Sequence, residues 1–91
     1  MAVINLTKSQ AKKIYIEGTL RAEGVVIKID SLLEILKKPK MSGENLLRLL
    51  DPDIALNLTK GDDFEPKDRI TFSKRALEDL IHERKDNGIQ I

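Results

Sequence analysis

The chain has 91 residues, no cysteine and a formal net charge of +1, with 41% apolar and 34% charged side chains. That length allows one hydrophobic core and no second domain, and the missing thiols exclude disulfides, thiolate metal ligands and cysteine nucleophiles. Leu, Ile and Val supply 27 residues, well above the aliphatic poverty of disordered chains, so residues 1–91 are expected to fold as a single domain.

The first predicted element belongs to an internal echo, in which residues 4–14 align without gaps on residues 70–80. Each copy opens with an alternating apolar pair, Ile4 and Leu6 or Ile70 and Phe72, which reads as the end of a half-buried strand. A hydroxyl follows, Thr7 or Ser73, able to accept a hydrogen bond from a free amide in the first turn of a helix. Leu6 and Ala11, like Phe72 and Leu77, stand at the spacing of a hydrophobic staple. Gln10 completes a capping box with Thr7, and Gly18 is placed to end the helix in a left-handed turn, which predicts a helix over residues 8–17. The β-branched run of residues 14–20, followed by residues 25–29 across a short turn, predicts a β-hairpin from partly the same residues. Both readings stand.

Val25 to Ile29 is strand-like in either case, and Asp30 or Ser31, with Glu34 at capping-box distance from Ser31, predicts a helix stopped by Pro39. A further helix starts at Ser42, presents Leu46, Leu47, Leu49 and Leu50, and ends at Asp51 and Pro52. Ile54, Leu56 and Leu58 alternate as in a strand. The turn-forming residues 60–68 then lead, as a long hairpin loop or a crossover, into a strand over residues 69–72. A last helix carries Ala76, Leu77, Leu80 and Ile81 on one face and closes near Asn87 and Gly88. The expected class is α+β, with about four short strands and three or four helices packed on the sheet.

Chemistry-bearing constellations are sparse. His82 is the sole histidine, at the edge of an apolar face and one turn from Asp79, and is expected as a partly exposed helix residue without a catalytic role. Asp51, Asp53, Asp62, Asp63, Glu65 and Asp68 crowd the loops of the second half, but their spacing fails the EF-hand pattern, so solvated acidic loops are expected and no metal. The five glycines are dispersed and form no phosphate loop, and no serine sits in a nucleophile elbow; neither a cofactor nor enzyme activity is expected.

Charge is unevenly spread. Residues 1–40 hold 8 Lys and Arg against 4 Asp and Glu, and residues 41–91 hold 8 against 11. Lys8, Lys12 and Lys13 on the first helix, and Lys37, Lys38 and Lys40 at the end of the next, are the candidate phosphate contacts if the protein binds nucleic acid. Without an export signal or a long apolar span, a cytoplasmic protein with no membrane partner is expected, and the glycosylation-like triplets at Asn5 and Asn57 are read as coincidence.

Residues 69–80 resemble the strand-to-helix element of AbrB-type antitoxin and transition-regulator domains, which place a proline where this chain has Ser73. In that family the DNA-binding region is a short N-terminal segment, whereas the matching segment here lies near the C-terminus. Elimination of chemistry, abundant aliphatics in a small core and the charge polarity favour a non-enzymatic regulatory or adaptor protein that binds another protein and forms homo-oligomers. The alternatives are a DNA-binding regulator using the basic N-terminal half and a structural assembly subunit.

Overall fold

A computed structural model describes residues 4–82. Side-chain caps fix where three of its helices begin. Thr7 Oγ1 accepts from the Gln10 amide at 3.1 Å while Gln10 Oε1 accepts from the Thr7 amide at 3.0 Å, closing the expected capping box. Ser42 and Ser73 repeat the first half of that arrangement, accepting from the Asn45 amide at 3.2 Å and the Ala76 amide at 3.1 Å. The helices are α1 (Lys8–Glu17), α2 (Ile29–Leu36), α3 (Gly43–Leu49) and α4 (Lys74–His82), and the strands are β1 (Thr19–Arg21), β2 (Gly24–Lys28), β3 (Ala55–Thr59) and β4 (Arg69–Phe72). The closure expected near Asn87 and Gly88 lies outside the described residues.

The four strands form one antiparallel sheet in the order β1-β2-β4-β3, giving the α+β class read from the sequence. Pairing in register puts Val25, Phe72 and Ala55 on one face, joined there by Ile27 and Ile70, and all five are buried. Ala11 and Ile14 of α1, Ile29, Leu32, Leu33 and Leu36 of α2, Leu46 of α3 and Leu77 of α4 complete that core. Alternation sends Thr19, Val26, Lys28, Arg69 and Thr71 to the opposite face. Among the described residues, no helix is long and apolar enough to cross a membrane.

Helix and hairpin, which compete for residues 14–20 in the sequence, both form and divide at Gly18. Gly18 is extended (φ −79°, ψ 175°) and not left-handed as expected. Space calls for glycine there, because a Cβ would lie 2.6 Å from Val25 Cγ1 and 2.9 Å from the Ile14 carbonyl oxygen. The chain can therefore leave the helix and enter β1 within one residue.

Four further expectations change. Residues 4–7 form no strand; Ile4 instead donates its amide to the Leu49 carbonyl at 2.9 Å, so the first copy of the echo keeps its cap and loses its strand. The two echo helices pack on each other, where Tyr15 Oη donates to Glu78 Oε2 at 3.0 Å beside Lys74 Nζ at 2.9 Å from the same carboxylate oxygen. The hydrogen bond to Glu78 holds both the Tyr15 hydroxyl and the Lys74 ammonium above their usual pKa values. Neither Asp30 nor Ser31 caps α2. β2 runs straight into that helix, and the Ile29 amide donates to the Asp68 carbonyl of the distant loop at 3.1 Å, which satisfies the first of the helix's free amides. The helix ends at Leu36, before Pro39: Lys37 is left-handed (φ 57°), and the Lys38 amide reaches back to the Leu33 carbonyl at 3.0 Å. Leu56 faces outward because a bulge lies between Ala55 and Asn57, inserting one residue that the period-two pattern does not register.

Thr7→Ala removes one side of the capping box and should lower the unfolding free energy by about 1 kcal/mol. Urea denaturation monitored by circular dichroism would show it, and an unchanged midpoint would mean that the box contributes nothing.

Candidate functional site

Two acidic side chains organise the loop between β3 and β4, residues 60–68. Asp62 Oδ1 accepts from the Phe64 amide at 2.9 Å and the Glu65 amide at 2.8 Å, and the Asp62 amide donates to the Glu65 carbonyl at 2.8 Å. The hydrogen bond from the Glu65 amide is the main reason that the Asp62 carboxyl is held below the usual carboxylate range. Asp68 Oδ1 accepts from the Gly61 amide at 2.8 Å, and a Cβ at Gly61 would stand 2.0 Å from the Pro66 carbonyl oxygen, so the loop closes tightly on itself. Asp51 likewise caps its own turn, accepting from the Asp53 amide at 2.9 Å. These carboxylates serve backbone amides, and among the described residues no three His, Cys, Asp or Glu side chains are grouped to hold a metal ion.

Folded in this way, the loop leans over the open face of the sheet. A concavity of about 490 Å³ lies there, lined by Thr19 and Arg21 of β1, Lys28 at the end of β2, Arg69 of β4, and Phe64, Glu65, Pro66 and Lys67 of the loop. Lys28 and Arg69 are cross-strand partners on the open face, and Arg21 reaches in from the edge strand. The lining thus carries four cationic side chains against one carboxylate, Glu65.

Glu65 engages both guanidinium groups, with Oε1 accepting from Arg69 Nη1 and Oε2 lying 3.8 Å from Arg21 Nη2. Lys67 pairs at the rim with Asp30 at 3.3 Å, and Lys28 has no ion-pair partner among the described residues. Arg69 is the most enclosed of the four cations, its side chain 15% exposed, and its Nη2 lies 3.5 Å from the Lys60 carbonyl oxygen. Its Nε is buried without an acceptor, the one such side-chain polar atom among the described residues. An unsatisfied buried donor costs about 1–3 kcal/mol.

Phe64 stands at the same rim and is 94% exposed. Leaving such a ring in water forgoes on the order of 1.5–3 kcal/mol of burial, and nothing in the core requires it. The site therefore pairs an aromatic platform with a cluster of hydrogen-bond-donating cations.

The lysines singled out in the sequence lie elsewhere. Lys8, Lys12 and Lys13 are exposed on α1, and Lys37, Lys38 and Lys40 are exposed in the segment that follows α2. None of the six lines the open-face concavity. Lys13 borders a shallow groove between α1 and α2 together with Glu17 and Glu34, whose carboxylates offset its charge. His82 is exposed at the end of α4. The cations that do line it, Arg21, Lys28, Lys67 and Arg69, are not among those singled out in the sequence. Their signal was the period-two pattern of β2 and β4, which sends Lys28 and Arg69 to the face away from Val25, Ile27, Ile70 and Phe72.

Fold and site together define an α+β domain with one covered and one open sheet face, the open face bearing a basic, aromatic-edged concavity. No protein-family model, no curated protein and no solved structure matches this chain. Residues 69–80, the segment whose sequence resembles AbrB-type domains, form strand β4 and most of helix α4.

Proposed function

We propose that the protein is a non-enzymatic nucleic-acid-binding regulator that holds the phosphate backbone on the open face of its sheet. The observation that carries this reading is the convergence of Arg21, Lys28, Lys67 and Arg69, from three strands and a loop, on one concavity beside an exposed ring. Guanidinium groups present planar forks of donors that match phosphate oxygens. Glu65 engages both guanidinium groups in the free protein as an internal anion, which an incoming phosphate would exchange for itself. This reading keeps the regulatory role expected from the sequence and moves the contact surface from the helical lysines to the sheet.

Fluorescence anisotropy with labelled oligonucleotides tests it. Affinity should fall steeply between roughly 50 and 200 mM salt, with a log–log slope of roughly −3 if four phosphates are neutralised. The double variant Arg21→Glu/Lys28→Glu, at exposed positions, should bind about 100-fold more weakly or not at all while keeping its circular dichroism spectrum. Salt-independent binding, or wild-type affinity in the double variant, would refute the reading. Binding to an acidic protein with none to nucleic acid would refute it in favour of the adaptor reading.

Self-association is a second reading, favoured by one observation. Ile16, 72% exposed near the end of α1, and Leu20, 56% exposed on edge strand β1, stand on either side of the Gly18 turn. A second copy meeting that corner would cover both. Light scattering at high concentration addresses it, and a strictly monomeric protein would exclude it.

A further inference from the structure

Phe64 makes the site more specific than a general polyanion trap. We propose that the ligand is a single-stranded nucleic acid, with one base stacked on Phe64 and the flanking phosphates on Arg21, Arg69, Lys28 and Lys67. The inference rests on the nucleic-acid reading above and adds the strandedness and the residue that senses it.

The argument starts from the loop. Two amide hydrogen bonds to the Asp62 carboxylate fix the backbone at Phe64 and Glu65, so the ring is presented by a braced turn. It is 94% exposed, has no part in the core, and borders the concavity that holds the cations. Aromatic rings beside a basic groove bind single strands because every base has a π-face to stack and every nucleotide a phosphate to neutralise. In a duplex the bases already stack on each other, and a ring at the rim of a shallow site reaches only the backbone. Duplex reading generally inserts a helix or a two-stranded ribbon into the major groove. Here the cations sit on the flat face of the sheet and on a loop folded over it. Stacking is tolerant of base identity, so little sequence preference is expected, and neither DNA nor RNA is favoured by the ring itself.

The test uses the full chain with oligothymidylate, oligouridylate and a duplex of equal length. Both single strands should bind more tightly than the duplex, and any difference between the two shows whether the sugar is sensed. Phe64→Ala should weaken single-strand binding about tenfold or more and leave duplex binding unchanged. Phe64→Trp should preserve affinity. Because the chain contains no tryptophan, the introduced indole is the sole one, and its fluorescence should be quenched when a base stacks on it. The exposure of position 64 makes both variants compatible with folding, which circular dichroism checks. Equal or tighter duplex binding, a neutral Phe64→Ala, or an indole unaffected by oligonucleotide would each overturn the inference. If all three nucleic acids bind and depend on Arg21 and Lys28 but Phe64→Ala is neutral, only the stacking inference fails. If none binds, the nucleic-acid reading fails with it.

Discussion

Phe72→Ala should lower the unfolding free energy by about 3–5 kcal/mol. Phe72 is fully buried and lies in register between Val25 of β2 and Ala55 of β3, at the centre of the covered sheet face. Truncating it removes the largest of the buried side chains and leaves a cavity where sheet and helices meet. A 91-residue domain has about 5–14 kcal/mol of stability in total, so the loss is between about a fifth and all of it. Urea denaturation should show a midpoint reduced by at least about a fifth with an unchanged slope. Phe72→Leu, which keeps much of the volume, should lose clearly less, about 1–2 kcal/mol. A Phe72→Ala protein with a wild-type midpoint would show that the ring is not in the core.

Gly24→Ala should be nearly as damaging, for a different reason. Gly24 opens β2 with φ at 142°, a conformation that side chains rarely adopt, and a Cβ there would stand 2.2 Å from the Phe72 carbonyl oxygen. The obstructing atom is backbone in the neighbouring strand, so no side chain can swing aside. Relief requires prising β2 from β4. Strain and overpacking together should cost roughly 2–5 kcal/mol. Gly43→Ala provides the contrast. Its Cβ would meet Leu58 Cδ1 at 2.7 Å, the end of a flexible side chain, and its φ is not positive. It should therefore change stability by less than about 1 kcal/mol. Equal midpoints for the two variants in thermal or urea unfolding would contradict this account of Gly24.

Much of the fold is legible in the sequence because its signals are local. Thr7, Ser42 and Ser73 each announce a helix start through a hydroxyl three residues ahead of the amide it satisfies, and all three hydrogen bonds form. Signals that depend on a distant partner are less visible. The start of α2 is capped by Asp68, far along the chain, so Asp30 and Ser31 drew the boundary too late. Leu56 follows the strand alternation on paper, yet the bulge turns it outward, and a one-residue insertion leaves no mark in composition. Gly18 looked like a left-handed helix end, because its steric role becomes apparent only once Val25 lies against it.

The site was the least legible part, and charge explains why. Arg21 ends the short edge strand β1, Lys28 ends β2, and Lys67 and Arg69 lie in the half of the chain whose net charge is negative. Counting charge by chain segment dilutes the last two among Asp62, Asp63, Glu65 and Asp68, although two of those carboxylates, Asp62 and Asp68, accept from the loop's own amides. Pairing of β2 with β4 concentrates cations that the linear sequence disperses.

The bulge at Leu56 also governs how copies of this domain can meet. An unpaired strand edge is a row of amides and carbonyls that another chain can use as a template, the first step toward cross-β fibrils. At one border of the sheet β1 offers three residues, and at the other the bulge leaves Asn57, Leu58 and Thr59 as the regular run. Neither border presents more than three residues in unbroken register. Templated, open-ended growth is therefore starved of a nucleus at both edges.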